Sequence, residues 1–217
     1  MIKEIPGPAG PLEALLDEPD GTPRAIVVFA HPHPLYGGTM HTKVVYQTAK
    51  ALTRIGCAVL RFNFRGVGRS GGRHDEGRGE LDDFKAGLDF MTARYPAVPE
   101  LWAGGFSFGA WIGLKAGATD KRVATLIGIA PPVATYDFAA VLQSHKPKFF
   151  IQGEFDTVCP LRTLREFYAR VPEPKELVII EAADHLFEGK VSQVAEAIED
   201  LLGDFSGVPR APEGRFD

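Results

Sequence analysis

Only two cysteines occur in the chain, Cys57 and Cys159, too few for the disulfide framework of a small secreted scaffold. Cys57 sits in an apolar run and reads as a small core residue. Cys159 reads as a loop thiol open to reaction, although nothing beside it in the sequence would lower its pKa. No apolar run approaches the roughly 18 residues of a membrane span. The opening MIKEIPGPAG lacks the apolar stretch of a secretory signal. A cytoplasmic location and no membrane partner are therefore expected. Excess positive charge is also missing. The formal net charge is −4, which argues against a nucleic-acid partner. The nearest thing to a basic patch is Arg61, Arg65, Arg69, Arg73 and Arg78. Glycines, Asp75 and Glu76 interrupt it, so it reads as a solvated loop. Neither an internal repeat nor a linker divides the chain, and no residue pattern signals an oligomeric state.

What is present is alternation. A chain of 217 residues is long enough to bury a core unaided by metals or disulfides. A short antiparallel pair, residues 2–5 and 12–16, is joined by the turn PGPAG. Near-continuous apolar runs follow at 25–31, 57–64, 101–106, 123–130, 149–153 and 176–182. Runs of that kind suit strands buried on both faces. Between them lie helical patterns at 41–56, 80–95, 108–118, behind Pro160, and from Val191 to Leu202. Strands alternating with helices mean a mostly parallel sheet with helices on both faces, the α/β class, with an N-terminal antiparallel hairpin. One domain over 1–207 and a loose polar tail over 208–217 are expected. In such sheets ligands bind beyond the carboxyl ends of the strands.

The pattern G-x-S-x-G occurs twice, around Ser107 and around Ser70. With 24 glycines and five serines, roughly 0.06 chance matches are expected, so context has to choose. A nucleophile elbow needs a strand before the serine and a helix directly after it. Ser107 has LWAGGF before it and FGAWIGLKAGA after it. Ser70 is followed by GGRHDEGRG, where no helix starts, and reads as a turn residue. The same loop matches G-x-G-x-x-G at Gly66, Gly68 and Gly71. A dinucleotide site needs a helix opening at the third glycine, so a nucleotide reading is set aside and no cofactor is expected.

A serine needs a base. Of the six histidines, His185 follows a strand and comes after Ser107, the order this architecture uses. His145 precedes a strand and so lies at the wrong end of the sheet. The acid that orients the imidazole should lie on the loop after 149–153. Asp156 is the choice there and Glu154 the runner-up. Asp184, adjacent to His185, is poorly placed to face that ring. An oxyanion hole needs two amides. Phe108, after the serine, supplies one. The other should come from His31-Pro32-His33-Pro34-Leu35-Tyr36. Its prolines have no N–H, which leaves His33, Leu35 or Tyr36, with His33 nearest the strand. His31-x-His33 lacks the further ligands of a metal site, so no metal is expected.

Gly105-Phe106-Ser107-Phe108-Gly109, the loop from Asn63 to Ser70, Gly153-Glu154-Phe155-Asp156 and Asp184-His185 together resemble the α/β-hydrolase superfamily over nearly the whole chain. The stretch Ala30-His31-Pro32-His33-Pro34-Leu35-Tyr36-Gly37-Gly38-Thr39-Met40 is similar to that of small bacterial serine hydrolases related to dienelactone hydrolases and carboxylesterases. The resemblance implies a triad of Ser107, Asp156 and His185, an oxyanion amide at His33, and a structural role for the Ser70 loop. Two features depart from it. Many relatives have His-Gly where this chain has His31-Pro32, and dienelactone hydrolases use a cysteine nucleophile where this chain has Ser107. Superfamily caps are inserted after the strand that here is 123–130, and residues 131–148 are too few to form one. An open site is expected, with Leu35, Tyr36 and Phe106, beside Phe108 and Trp111, lining an apolar acyl pocket. The expected activity is hydrolysis of small or exposed carboxylic esters. The rivals are a hydrolase-fold ligand sensor with little turnover, a thioesterase or a lactonase.

Overall fold

A computed structural model of the protein describes residues 2–205; the expected polar tail, 208–217, lies outside them. Eight strands form one sheet in the order β1-β2-β4-β3-β5-β6-β7-β8. β1 (Glu4–Ile5) and β2 (Leu12–Asp17) make the antiparallel hairpin, and β2 pairs antiparallel with β4 (Cys57–Phe62). β3 (Ala25–Ala30), β4, β5 (Leu101–Phe106), β6 (Val123–Ile129), β7 (Lys148–Gly153) and β8 (Lys175–Ile180) are mutually parallel. Parallel neighbours need crossovers, and helices supply them: α1 (Lys43–Arg54), α2 (Arg78–Arg94), α3 (Phe108–Thr119), the four-residue α4 (Ala139–Leu142), α5 (Leu161–Tyr168) and α6 (Val191–Leu202).

The central strands are buried along their whole length because both faces are covered. Period-two alternation divides their side chains. Ile26, Val28, Ala30, Leu60 and Phe62 pack with Phe84 and Leu88 of α2 and Ile112 of α3. Val27, Phe29, Val59 and Trp102 pack with Val45 and Leu52 of α1 and Val194 and Ile198 of α6. Each large apolar side chain so enclosed contributes about 1.5–3 kcal/mol. Because β3 to β8 are parallel and nearly in register, their carboxyl ends share one edge of the sheet. The loops after β3, β5, β7 and β8 therefore emerge side by side there. No helix among the described residues is long and apolar enough to cross a membrane.

The expected elements are present, with bounds shifted by one to three residues at their ends. The short α4 was not anticipated. Its four residues are the only helix between β6 and β7 among the described residues, so no cap covers this edge.

Candidate active site

Ser107 stands between the end of β5 and the start of α3 with φ 56° and ψ −120°, a conformation rare for a residue with a side chain. Such backbone strain costs about 1–3 kcal/mol and persists only where the surroundings enforce it. Here Ser107 N donates to Ile129 O (2.8 Å), and Ser107 O accepts from the amides of Ala110 (2.8 Å) and Trp111 (3.1 Å). The two motif glycines let the strand and helix approach. A Cβ on Gly105 would lie 2.3 Å from the Gly109 backbone. One on Gly109 would lie 2.5 Å from the carbonyl oxygens of Ala30 and His31. The motif is therefore a packing requirement as well as a turn, and it presses the elbow against the start of the β3 loop.

His185, from the loop after β8, places Nε2 2.9 Å from Ser107 Oγ and Nδ1 2.8 Å from Asp156 Oδ2. A carboxylate accepts, so the ring hydrogen sits on Nδ1 and Nε2 faces the serine hydroxyl as a lone pair. Asp156 is 4 % exposed. Its Oδ1 accepts from the amides of Val158 (2.9 Å) and Cys159 (2.7 Å), and its Oδ2 also accepts from Gln152 Nε2 (2.9 Å). Four donors thus fix one carboxylate. The runner-up acid, Glu154, points elsewhere and accepts from Ala182 N (2.8 Å). With Phe155 N to Ala183 O (2.8 Å), that bond ties the acid loop to the histidine loop. Asp184 accepts from Glu188 N within its own turn.

The β3 loop separates the three oxyanion candidates. Leu35 N donates to His33 Nδ1 (3.2 Å) and Tyr36 N to His33 O (3.1 Å). Both amides are committed to a 3-10 turn over Pro34–Tyr36. The amides of His33 and Phe108 have no protein acceptor among the described residues. The two side-chain rings touch, with centroids 4.8 Å apart. His31 anchors the loop. It is fully buried, its Nε2 accepts from Phe64 N (3.0 Å), and its Nδ1 lies 2.7 Å from Pro32 O. Burial holds its pKa down at about 4, so it is neutral at pH 7. His31 and His33 thus serve the loop, and no group of three metal-ligating side chains occurs among the described residues.

Several sequence readings need correction. Phe106 is fully buried, its ring packed against His185 and Phe187, so it supports the imidazole from below and does not line an open pocket. Leu35 and Tyr36 are exposed on the loop. Cys159 is buried and hydrogen-bonded to Pro131 O, and burial pushes its thiol up to about 12. The arginines are not uniformly solvated. Arg61 is buried and pairs with Asp17 (2.8 Å), and Arg65 makes a two-pronged pair with Asp83. Ser70, by contrast, is the turn residue the sequence suggests, and it is buried: its Oγ donates to Asn63 O (2.7 Å) and accepts from Glu13 N (2.9 Å). No helix opens until Arg78, so the glycine run there is a loop clasp.

Sequence reasoning passed over His74. Its ring lies 5.1 Å from that of His33 and 5.9 Å from that of Phe108. The only signal was its membership of a loop after a strand, which it shares with many residues.

The chain as a whole resembles known proteins. A family model described as serine aminopeptidase, S33, matches residues 21–144. An α/β serine hydrolase homologue from Coxiella burnetii is 41% identical, with 92% of this chain and 95% of that one covered and a TM-score of 0.87. A lidless serine hydrolase of the same class from Xanthomonas campestris is 34% identical over 96% of this chain and 95% of that one, with a TM-score of 0.86. An uncharacterized protein of Rickettsia prowazekii is 36% identical over 204 residues, 90% of this chain and 86% of that one.

Proposed function

The chain belongs to the α/β serine hydrolases of the S33 family, and from that premise we propose that it hydrolyses carboxylic esters through an acyl-enzyme on Ser107. The observation that carries the proposal is the unbroken chain from Ser107 Oγ to His185 Nε2 (2.9 Å) and from His185 Nδ1 to Asp156 (2.8 Å), built on a strained elbow.

In this reading His185 takes the Ser107 proton as Oγ attacks the ester carbonyl. Asp156 holds the ring in the tautomer that can accept it and stabilises the imidazolium that forms. The amides of His33 and Phe108 receive the developing oxyanion. They have no protein acceptor to give up, and donors that need no reorganisation are worth about 2.7–4 kcal/mol each in such sites. His185 then returns the proton to the leaving alcohol. Water, activated by the same imidazole, cleaves the acyl-enzyme in the second half. The uncapped edge suits small or exposed esters, whose alkoxide leaving group needs only one proton donor.

A fluorophosphonate should add its mass to the peptide containing Ser107, and the protein should hydrolyse nitrophenyl acetate in a Ser107-dependent way. A folded protein that takes no adduct would overturn the proposal. Turnover of thioesters, lactones or aminoacyl anilides with no turnover of simple esters would move the substrate class while keeping the serine chemistry.

A further inference from the structure

The oxygen of Asp156 that meets His185 has a second partner, Gln152 on β7, to which the proposed reaction gives no task. Side chains alternate along a strand, so Gln152 shares a sheet face with Phe150, whose ring packs on Phe167 of α5. Gln152 is fully buried there. Its Nε2 donates to Asp156 Oδ2 (2.9 Å) and to Cys159 O (2.6 Å). A carboxylate and a backbone carbonyl only accept, so the NH₂ must face them and both of its hydrogens are spent. The Oε1 left over is buried and has no partner among the described residues. An unpaired buried carbonyl is unfavourable, and an apolar side chain at this place would avoid it. What the NH₂ holds therefore accounts for a glutamine at this position.

The four donors on Asp156 are not equivalent. Val158 N and Cys159 N belong to the turn that carries the carboxylate, and both reach Oδ1. Gln152 alone shares Oδ2 with His185. A carboxylate oxygen has two lone-pair sites; Gln152 fills one and leaves the other to His185 Nδ1. Cys159 is held at both ends, its N on Asp156 Oδ1 and its O on Gln152. One side chain thus ties the carboxylate and its turn to β7, which is itself paired with β6 on one side and β8 on the other.

We propose that Gln152 is a positioning residue for the reaction: it fixes the direction in which Asp156 Oδ2 meets His185, and through it the alignment of the imidazole that takes the Ser107 proton. The inference rests on the serine hydrolase reading. Its rival is a purely structural role, in which the amide closes the turn and the imidazole sits equally well without it.

Two variants test it. Gln152→Met keeps the length, removes the donor and also removes the unpaired Oε1. Gln152→Glu keeps the shape and makes the donor depend on pH. Protonated, the new carboxyl donates to Asp156 Oδ2, since a charged acceptor outcompetes the Cys159 carbonyl. Ionised, it opposes Asp156, and burial beside a like charge raises its titration above the ordinary carboxylate range. Stopped-flow acylation by nitrophenyl acetate reads a rate constant and a binding constant separately. Gln152→Met should lower the rate constant by roughly ten- to a hundredfold, the cost of a small misalignment, and leave the binding constant within about twofold. A misfolded fraction lowers the burst amplitude and not the rate constant. Acylation by wild type needs a neutral His185 and should rise with pH to a plateau. Gln152→Glu should add a second limb that falls as the new carboxyl ionises, read over the pH range in which its melting temperature shows it folded. A Gln152→Met rate constant within about threefold of wild type, or a Gln152→Glu profile of wild-type shape, would overturn the assignment. If Gln152→Glu does not fold, the Gln152→Met rate constant decides alone. If wild type neither turns over esters nor takes a fluorophosphonate, the function reading has failed by itself. The proton NMR signal of the His185 ring hydrogen on Nδ1 then decides the positioning role: a signal shifted or exchanging faster with water in Gln152→Met supports it, and an unchanged signal refutes it.

Discussion

Asp156→Asn separates an orienting carboxylate from a merely structural one. The native Asp156 accepts four hydrogen bonds, two on each oxygen: Val158 N and Cys159 N on Oδ1, Gln152 Nε2 and His185 Nδ1 on Oδ2. An asparagine has one carbonyl oxygen and one NH₂ to set against four donors. Turning the NH₂ toward Val158 and Cys159 opposes two rigid backbone donors. Turning it toward His185 opposes one side-chain amide and one ring that can change tautomer. The second arrangement costs less, so the asparagine NH₂ will face His185. The ring must then carry its hydrogen on Nε2, where it can no longer accept the Ser107 proton. A neutral amide at this place in a Ser-His-Asp set lowers kcat by about 10⁴, which is about 5 kcal/mol of transition-state stabilisation. Stopped-flow acylation with nitrophenyl acetate measures the loss, and the melting temperature reports whether the fold survives. A folded variant that loses less than about tenfold would refute this orienting role.

Glu154→Ala should stay within about tenfold of wild-type kcat on nitrophenyl acetate, because it breaks a loop tie at Ala182 and leaves the His185 partner in place; a loss near that of Asp156→Asn would exchange the two acids. Ser70→Ala strands the buried carbonyl of Asn63 and the part-buried amide of Glu13 and should destabilise the fold by about 1–3 kcal/mol in urea titration while Ser107 still takes fluorophosphonate; loss of labelling in folded protein would contradict its structural role. His31 is held at a pKa of about 4 against an unfolded value near 6.5. Between those values the unfolded chain binds a proton that the folded chain does not, so this group's contribution is complete above pH 6.5 and falls by about 3 kcal/mol as pH drops to 4. An NMR titration in which the His31 ring protonates near 6.5 in the folded state would refute it. Neither cysteine should react with iodoacetamide at pH 8 in the native protein, since both are buried with thiols pushed up to about 12; rapid alkylation of Cys159 would show that its loop opens.

The legible parts of the sequence were those governed by one local rule. β3 is legible because six consecutive apolar residues have only one stable home, a strand covered on both faces. Ser107 is legible because G-x-S-x-G records two close approaches, Gly105 to Gly109 and Gly109 to the β3 loop, that admit no side chain. Chain order then narrows the histidine and the acid, since only loops at the carboxyl edge can reach that serine. The choice between Asp156 and Glu154 lies in which side of one loop each carboxylate faces, and nothing in Glu154-Phe155-Asp156 records that. The buried amides of Val158 and Cys159 make the choice, and their direction depends on the turn as a whole.

Phe106, Cys159 and His74 escaped for a shared reason. Each is defined by what packs on it from a distant part of the chain. Phe106 looks like a pocket residue because it flanks the nucleophile, yet the alternation of β5 sends it to the face covered by α1 and α6, under His185. Cys159 looks exposed because it precedes a proline, yet its amide caps the acid and its thiol meets the segment after β6. His74 sits in a loop of glycines and charges that reads as solvent-facing. Glu80, six residues on, turns it inward, because the carboxylate is spent on capping the first turn of α2 and lies fully buried against the imidazole.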